Sequence, residues 1–449
     1  MDINGKLPVK VKMGYGVCDL GGNLFFTVLA FLLMNYLTDT VGLAAGLAGA
    51  AIMIGKVWDA VTDPMAGFLS DRTKSSWGRR RPWIFWGSFP LFGMMFVMFT
   101  NPGHMSQGAL FAWAAIAFCL LCTSYTAVNI PYNSLTPELT QDYHERSSLN
   151  GYRFGFAVIG TLLGAGAALP IVGLFPDKNI GFSAMGAFFG FIMLVTALIT
   201  FFTVREPSHK KTMPTVGFFK TYFGVFGNKP YLLILATYTI HITALTIVSG
   251  IIIYYFKYVH NAEGMTTPAM LILLVTAMVF IPVSVIGAKK FGKKIIYQLG
   301  MIIMAIGIMV IFFFGHLYAP SFSLGVMVLS GIGMGFTYAM PYAIVPDAVE
   351  YDYLRTGERK EGAFYGIWTF GIKIGQAIAM GITGLVLTLG QYIPETTQSA
   401  GSMLSIRLLV GPIPAFIFIA GAVVLAFYPI TEDRYNQICK EIEEMEARM

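Results

Sequence analysis

Apolar residues recur along this chain in unbroken stretches of about twenty, separated by short clusters of Gly, Pro, Asn or charged residues. At ~1.5 Å rise per residue, about twenty apolar residues in a helix cross the ~30 Å hydrocarbon core of a bilayer. Each stretch therefore predicts a membrane-spanning helix. Twelve are expected, at 13–37, 45–69, 83–100, 108–134, 148–173, 182–203, 230–256, 266–288, 295–316, 321–345, 362–390 and 403–428. A transmembrane barrel would alternate apolar and polar residues over about ten positions, and the continuous runs exclude it. The expected fold class is an all-α polytopic membrane protein.

Composition agrees with that pattern. Of 449 residues, 56% are hydrophobic and 12% charged, against roughly 25% charged in soluble domains. The basic start, MDINGKLPVKVK, leads into an apolar stretch too long for a cleaved signal and without a small-residue cleavage site, so it is expected to remain as the first span. Cys119 and Cys122 form a C-x-x-C inside an apolar stretch with no His or acid nearby. They, with Cys18 and Cys439, read as packing or tail residues rather than a disulfide or metal framework.

The net charge of +6 is explained by sidedness, not by nucleic-acid binding. Most Lys and Arg residues fall at the N-terminus, in the loops after the even-numbered spans and in the tail. By the positive-inside rule those loops and both termini are expected in the cytoplasm. The longest connection, 205–229, is basic and divides the spans into a half at 1–204 and a half at 230–430, with a charged tail helix at 431–449. GFLSDRTKSSWGRRRP after span two is echoed by GAKKFGKK after span eight. Two related six-helix halves joined by a linker form the architecture of the major facilitator superfamily.

Six ionisable residues stand inside spans: Asp19, Lys56, Asp59, Asp63, Arg153 and Lys373. An acid at the centre of a span costs about 2.5–3.5 kcal/mol on insertion scales, and such groups mark ion or solute paths. Asp59 and Asp63 are one helical turn apart and share a face. Two carboxylates there, with the hydroxyls of Thr62 and Thr126, suit a hard monovalent cation or a proton. The alternative is an internal salt-bridge network. Asp19 lies in the Gly-interrupted GYGVCDLGGN, where it either accepts solute hydroxyls or pairs with Arg153 or Lys373. Tyr125, Asn129 and Asn133 recur at four-residue steps before and after Pro131, as a solute-binding stripe or as helix-joining polar groups. Tyr338, Tyr342, Tyr365 and Trp368 offer rings that could stack on a sugar. The six histidines are scattered; His241 alone falls in a span, and no H-E-x-x-H or G-x-S-x-G accompanies it, so no enzyme is expected.

GYGVCDLGGN, KVWDAVTDPMAGFLSDRTKSSWGRRRPW, VNIPYNSL and PDAVEYDYLRTGERKEGAFYGIWTFGIKIGQA together resemble the glycoside–pentoside–hexuronide:cation symporters, the melibiose-permease-like branch of the major facilitator superfamily. The resemblance covers essentially the whole chain. It implies sugar uptake coupled to Na⁺, H⁺ or Li⁺ by a multi-pass protein of the bacterial inner membrane, acting as a monomer, with no cofactor beyond the coupling ion. It implies that Asp59 and Asp63 bind the cation with Thr126, that Asp19 and Arg153 contact the sugar, and that Lys373 links the two. Asn129 and Asn133 stand where the melibiose permeases carry an acid and a tryptophan, which makes α-galactosides less suitable and an anionic solute easier to accept. Lys56, Asp71, Arg72, Arg79, Arg80, Arg81, Asp347 and Glu350 are the expected coupling and gating charges. The basic loop Arg72–Arg81 and the mixed loop Asp347–Lys360 are expected to pair with each other. Sodium-dependent lysolipid transporters share some of these features and supply the alternative reading.

Overall fold

The computed structural model describes residues 7–140, 142–206, 224–358 and 360–446. The middle of the expected linker, 207–223, and the last three residues of the expected tail lie outside them. Sixteen α-helices follow in order: α1 Val9–Gly16, α2 Cys18–Asn35, α3 Ala45–Arg72, α4 Arg81–Met98, α5 Gln107–Leu139, α6 Tyr143–Gly173, α7 Lys178–Thr203, α8 Lys229–Tyr254, α9 Thr266–Phe291, α10 Lys293–Val310, α11 Pro320–Tyr338, α12 Met340–Thr356, α13 Glu361–Leu389, α14 Ala400–Val410, α15 Pro412–Ala426 and α16 Glu432–Glu446. No strand occurs among the described residues.

Eleven helices or helix pairs among the described residues are long and apolar enough to cross a membrane. The remaining span read from sequence is α4, 18 residues long and diluted by Arg81, Pro82 and Pro90. It packs against α5 and α7 like its neighbours. The first span begins earlier than its hydropathy suggests, because α1 carries Lys10 and Lys12 ahead of the apolar run. Helix starts use the expected chemistry. Ser106, Asp142, Asp177 and Asn228 each accept a backbone N–H with their side chain, satisfying donors that a first turn leaves open.

The helices fall into two compact units. The first comprises Met1–Lys211 and Met380–Ser399, the second Thr212–Ala379 and Ala400–Met449. Helix α13 is thus shared: its last turns pack in the first unit, where Gly384 and Gly49 of α3 meet so closely that a Cβ on either would lie 3.0 Å from the other's Cα. Small residues at such crossings let helix backbones approach where no hydrophobic force separates helix from lipid. The echoed basic loops share a backbone device as well. Gly78 precedes α4 at φ +102°, and Gly292 precedes α10 at φ +87°, a region that favours glycine.

In the first unit, α2 packs on α6 and α7, and α3 and α4 on α5. In the second, a core that includes Tyr231, Tyr238, Ile344, Phe364, Trp368 and Phe418 joins α8, α12, α13 and α15. The tail helix α16 docks there through its buried Ile438 and Ile442, and Tyr353 on α12 donates to Glu446 at 3.0 Å.

Candidate functional site

Two clusters of buried polar groups form in the first unit. The first is built on α3 and α5. Asp59 and Asp63, one turn apart, present their carboxylates to Thr126 of α5, whose hydroxyl lies 2.9 Å from Asp59 Oδ1 and 2.9 Å from Asp63 Oδ1. Asp59 is 4% exposed and Thr126 2%. A hydroxyl carries a single proton and can donate to one acceptor only. The two acids therefore share one hydroxyl donor, and Thr126 ties both to one point on α5. Thr62 donates to the carbonyl of Asp59 at 3.2 Å, which anchors it beside the pair. Pro64 has no N–H to give to the carbonyl of Ala60, so the helix supplies one more oxygen at that level. Carboxylate, hydroxyl and carbonyl oxygens together are a hard donor set.

Lys56, one turn before Asp59, is 7% exposed. Its ammonium sits over the rings of Phe26 and Phe118, 5.7 and 5.9 Å from their centroids, an attraction that strengthens when the charge is desolvated.

The second cluster joins α2, α5 and α6 around Asp19 and Arg153. Arg153 donates from Nε to Asp19 Oδ2 at 2.5 Å and from Nη2 to Oδ1 at 3.2 Å. This two-point grip is the geometry in which guanidinium–carboxylate pairs are strongest. The break between α1 and α2 at Val17 makes it possible: a Cβ on Gly16 would come within 3.0 Å of the Tyr152 carbonyl carbon and 3.1 Å of Arg153 N. Glycine is needed there for α6 to approach. Of the two roles open to Asp19 in the sequence, pairing with Arg153 is present.

Three side chains that the sequence did not single out complete this cluster. Tyr132 donates to Asp19 Oδ2 at 2.6 Å. Thr136 accepts from Arg153 Nη1 at 3.1 Å and meets Tyr15 Oη at 2.6 Å. Tyr132 and Tyr15 also present their rings to the guanidinium, at 5.0 and 5.7 Å. Tyr132 and Thr136 sit three and seven residues after Asn129, the same helix face as the stripe, and that spacing is the signal that could have found them. The stripe itself divides. Asn133 accepts from Arg153 Nη2 at 2.5 Å and donates to Asn129 Oδ1 at 3.0 Å. Tyr125 is 7% exposed and stacks on Phe25 with centroids 4.1 Å apart. Tyr125 and Asn129, with Cys18, Gly21 and Gly22, line a small open pocket between α2, α4, α5 and α7.

In the second unit, Trp368 is buried. It is 2% exposed and stacks on Tyr238 with centroids 4.4 Å apart and planes within 5°. Tyr342, Tyr338 and Tyr365, at 50, 47 and 42% exposure, keep accessible rings, and Tyr238 donates to Tyr342 at 3.3 Å. Trp368 also meets Tyr342 edge-on, with centroids 6.1 Å apart, so it backs the more accessible Tyr342 ring. Lys373 is buried on α13.

Several of the expected gating charges have partners inside their own units. Arg80 pairs with Asp71 at 2.8 Å and Glu138 at 3.1 Å, and Arg79 with Glu138 at 2.8 Å. Backbone N–H groups of Arg79, Arg80 and Arg81 donate to Glu206 at 2.6–2.8 Å, a carboxylate at a helix start where the dipole favours it. Arg81 also donates to the Phe201 carbonyl at 2.7 Å, and Arg72 lies over the Phe68 ring at 3.8 Å. In the second unit, Lys293 holds Asp347 at 2.8 Å. Glu138, Glu206 and Lys293 are partners that loop-to-loop reasoning did not name.

Comparison with known proteins agrees with this architecture. A family model described as MFS/sugar transport protein matches residues 14–432. A Salmonella typhimurium (strain LT2) protein named as a candidate sulfoquinovose importer is 31% identical, over 97% of this chain and 93% of that protein. An Escherichia coli (strain K12) protein named as a candidate glycoside/cation symporter is 28% identical, over 97% of this chain and 95% of its own length. Among solved structures, a D-xylose–proton symporter superposes with TM-score 0.67 over 94% of this chain and 97% of that one, at 13% identity. That last likeness establishes the fold alone.

Proposed function

The chain belongs to the MFS/sugar transport protein family, a family of membrane transporters rather than enzymes, and on that premise we propose that it couples entry of Na⁺ or H⁺ to uptake of a glycoside, pentoside or hexuronide by alternating access. Multi-pass sugar symport is common ground with its relatives. The coupling site is Asp59, Asp63 and Thr126, with Thr62 beside them. The solute site centres on Asp19, Arg153, Asn129 and Asn133.

The observation that carries the reading is Thr126 between two carboxylates at 2.9 Å each. Two carboxylates and one hydroxyl converge there, an oxygen set that suits a hard cation or a proton, and charge taken up reversibly inside a span is what coupling requires. A cation bound there lowers the repulsion between Asp59 and Asp63, fixes α3 against α5, and so presets the Asn129 end of α5 for the solute. The membrane potential then contributes about 2.3 kcal/mol per charge per 100 mV, which sustains roughly a fifty-fold solute gradient. The relatives named for sulfoquinovose and for glycoside/cation symport support a sugar and a cation together. The basic loops after even-numbered spans support cytoplasmic termini in a bacterial inner membrane, and a complete pair of sites in one chain supports a working monomer.

Reconstituted protein tests this. Proteoliposomes with an inward Na⁺ or H⁺ gradient are expected to accumulate labelled sugar above its external concentration, and collapse of that gradient to release it. Uptake that ignores both gradients would overturn the symport reading.

A further inference from the structure

We infer that the solute read beside Arg153 carries an acidic group, a carboxylate or sulfonate on a sugar-sized frame, recognised by a row of N–H donors that ends at Asn129. The inference rests on the sugar-symport reading and names the class of sugar.

Direction along the row is set by the arginine. A guanidinium has donors and no acceptor. Arg153 Nη2 reaches Asn133 Oδ1 at 2.5 Å, so the Asn133 amide must point its oxygen toward Arg153 and its nitrogen away. That nitrogen donates to Asn129 Oδ1 at 3.0 Å, which in turn forces the Asn129 nitrogen to the far end. Neither amide can be turned over without setting donor against donor. The row therefore runs from positive charge to N–H, and Asn129 Nδ2 terminates it.

The oxygens along the row are already accepting hydrogen bonds. Asp19 accepts on both: Oδ2 from Tyr132 and Arg153, and Oδ1 from Arg153. Thr136 accepts from Arg153 as well. Each of these oxygens is thus engaged at least once, whereas several hydrogens are not engaged at all. Among the described residues, both hydrogens of Asn129 Nδ2, the second of Asn133 Nδ2 and one of Arg153 Nη1 are given to no protein acceptor. Asn133 is exposed, and half-buried Asn129 lines the pocket between α2, α4, α5 and α7.

A neutral sugar hydroxyl brings a proton along with its lone pairs and needs an acceptor in return. Carboxylate and sulfonate oxygens only accept, and charge makes those bonds about twice as strong. The formal charges of Asp19 and Arg153 cancel, so an anion meets no unpaired carboxylate in this cluster. A carboxylate at position 129 or 133 would destroy the arrangement, since it would supply acceptors and negative charge where the row supplies donors.

The test compares matched ligands on purified full-length protein in the presence of Na⁺: methyl β-glucoside, methyl β-glucuronide and the 6-sulfonate analogue, by calorimetric titration. The expected result is about tenfold or greater preference for the two acids over the glucoside, retained by Asn129→Gln and lost in Asn129→Asp. Asn133→Asp, checked for folding by its unfolding temperature, serves the same purpose if Asn129→Asp does not fold. Equal or tighter binding of the neutral glucoside by the native chain would overturn the inference and leave sugar symport standing. Binding of none of the three, with lysophosphatidylcholine bound instead, would overturn the sugar reading and this inference with it.

Discussion

In the first unit, buried polar groups answer one another: Thr126 lies between Asp59 and Asp63, and Asp19 is gripped by Arg153 and Tyr132. Among the described residues, the first unit leaves a buried polar atom of Asn35, Tyr36 and Arg80 without a hydrogen-bond partner, and the second leaves more, His241 on α8, Tyr297 on α10 and Trp368 on α13 among them. His241 is enclosed by the rings of Tyr238, Tyr297 and Phe418, at 5.6–5.9 Å between centroids. The two units thus spend polarity differently. One concentrates charge and hydroxyls where an ion and a solute can be exchanged. The other carries aromatic mass, with buried polar atoms that each cost about 1–3 kcal/mol. The span-two helices state the same difference. Helix α3 holds Lys56, Asp59 and Asp63 within its apolar stretch, ahead of Asp71 and Arg72 at its end, whereas its counterpart α9 holds no acid, and its lysines stand only in the last turn.

The comparison breaks most severely if charge on α3 is dispensable. Asp59→Cys and Asp63→Cys are each expected to abolish concentrative uptake, a loss of the roughly fifty-fold accumulation that one charge sustains at 100 mV, while the protein still reaches the membrane. Accumulation by both variants would remove the coupling role from this helix. Next in size is Thr126→Val. Losing the hydroxyl shared by two carboxylates should weaken cation binding by about ten- to a hundredfold, for a hydrogen bond to charged groups worth ~1.5–3 kcal/mol. Thr126→Ser should restore most of it, and a titration of sugar binding against cation concentration reads both.

Tyr132→Phe sharpens the split inside the first unit. It removes one donor from Asp19 and should weaken solute binding about tenfold while leaving cation affinity unchanged. A parallel loss of both would merge the two clusters into one. The smallest effect belongs to the second unit. His241→Leu exchanges an imidazole without partners for an apolar side chain of similar size, and should raise the unfolding temperature by a few degrees. A fall in that temperature would mean that the imidazole makes an interaction the aromatic enclosure conceals.

Spans and their grouping were legible because a run of about twenty apolar residues leaves a chain few places to be except a bilayer. Span α4 shows the limit: with an arginine and two prolines it is weak by composition, and its packing on α5 and α7 identifies it. Asp59 and Asp63 were legible because their spacing alone puts them on one face. Tyr132 and Thr136 were legible only as members of the Asn129 face, and Tyr15 not at all, since their partners are fixed by the rotational register of α1, α2, α5 and α6, which hydropathy does not encode. The partners that the gating charges find within their own unit were hidden for a related reason. Sequence position suggested loop against loop, whereas Glu138 and Glu206 reach Arg79–Arg81 from the ends of α5 and α7.

The most direct measurement is the affinity of the purified protein for its sugar at zero and at saturating coupling cation, in the native chain and in Asp63→Cys. Binding linkage is reciprocal, so the account predicts tighter sugar binding with cation in the native chain and no cation dependence in the variant. Equal sugar affinity with and without cation in the native chain, or an undiminished dependence in Asp63→Cys, would contradict it.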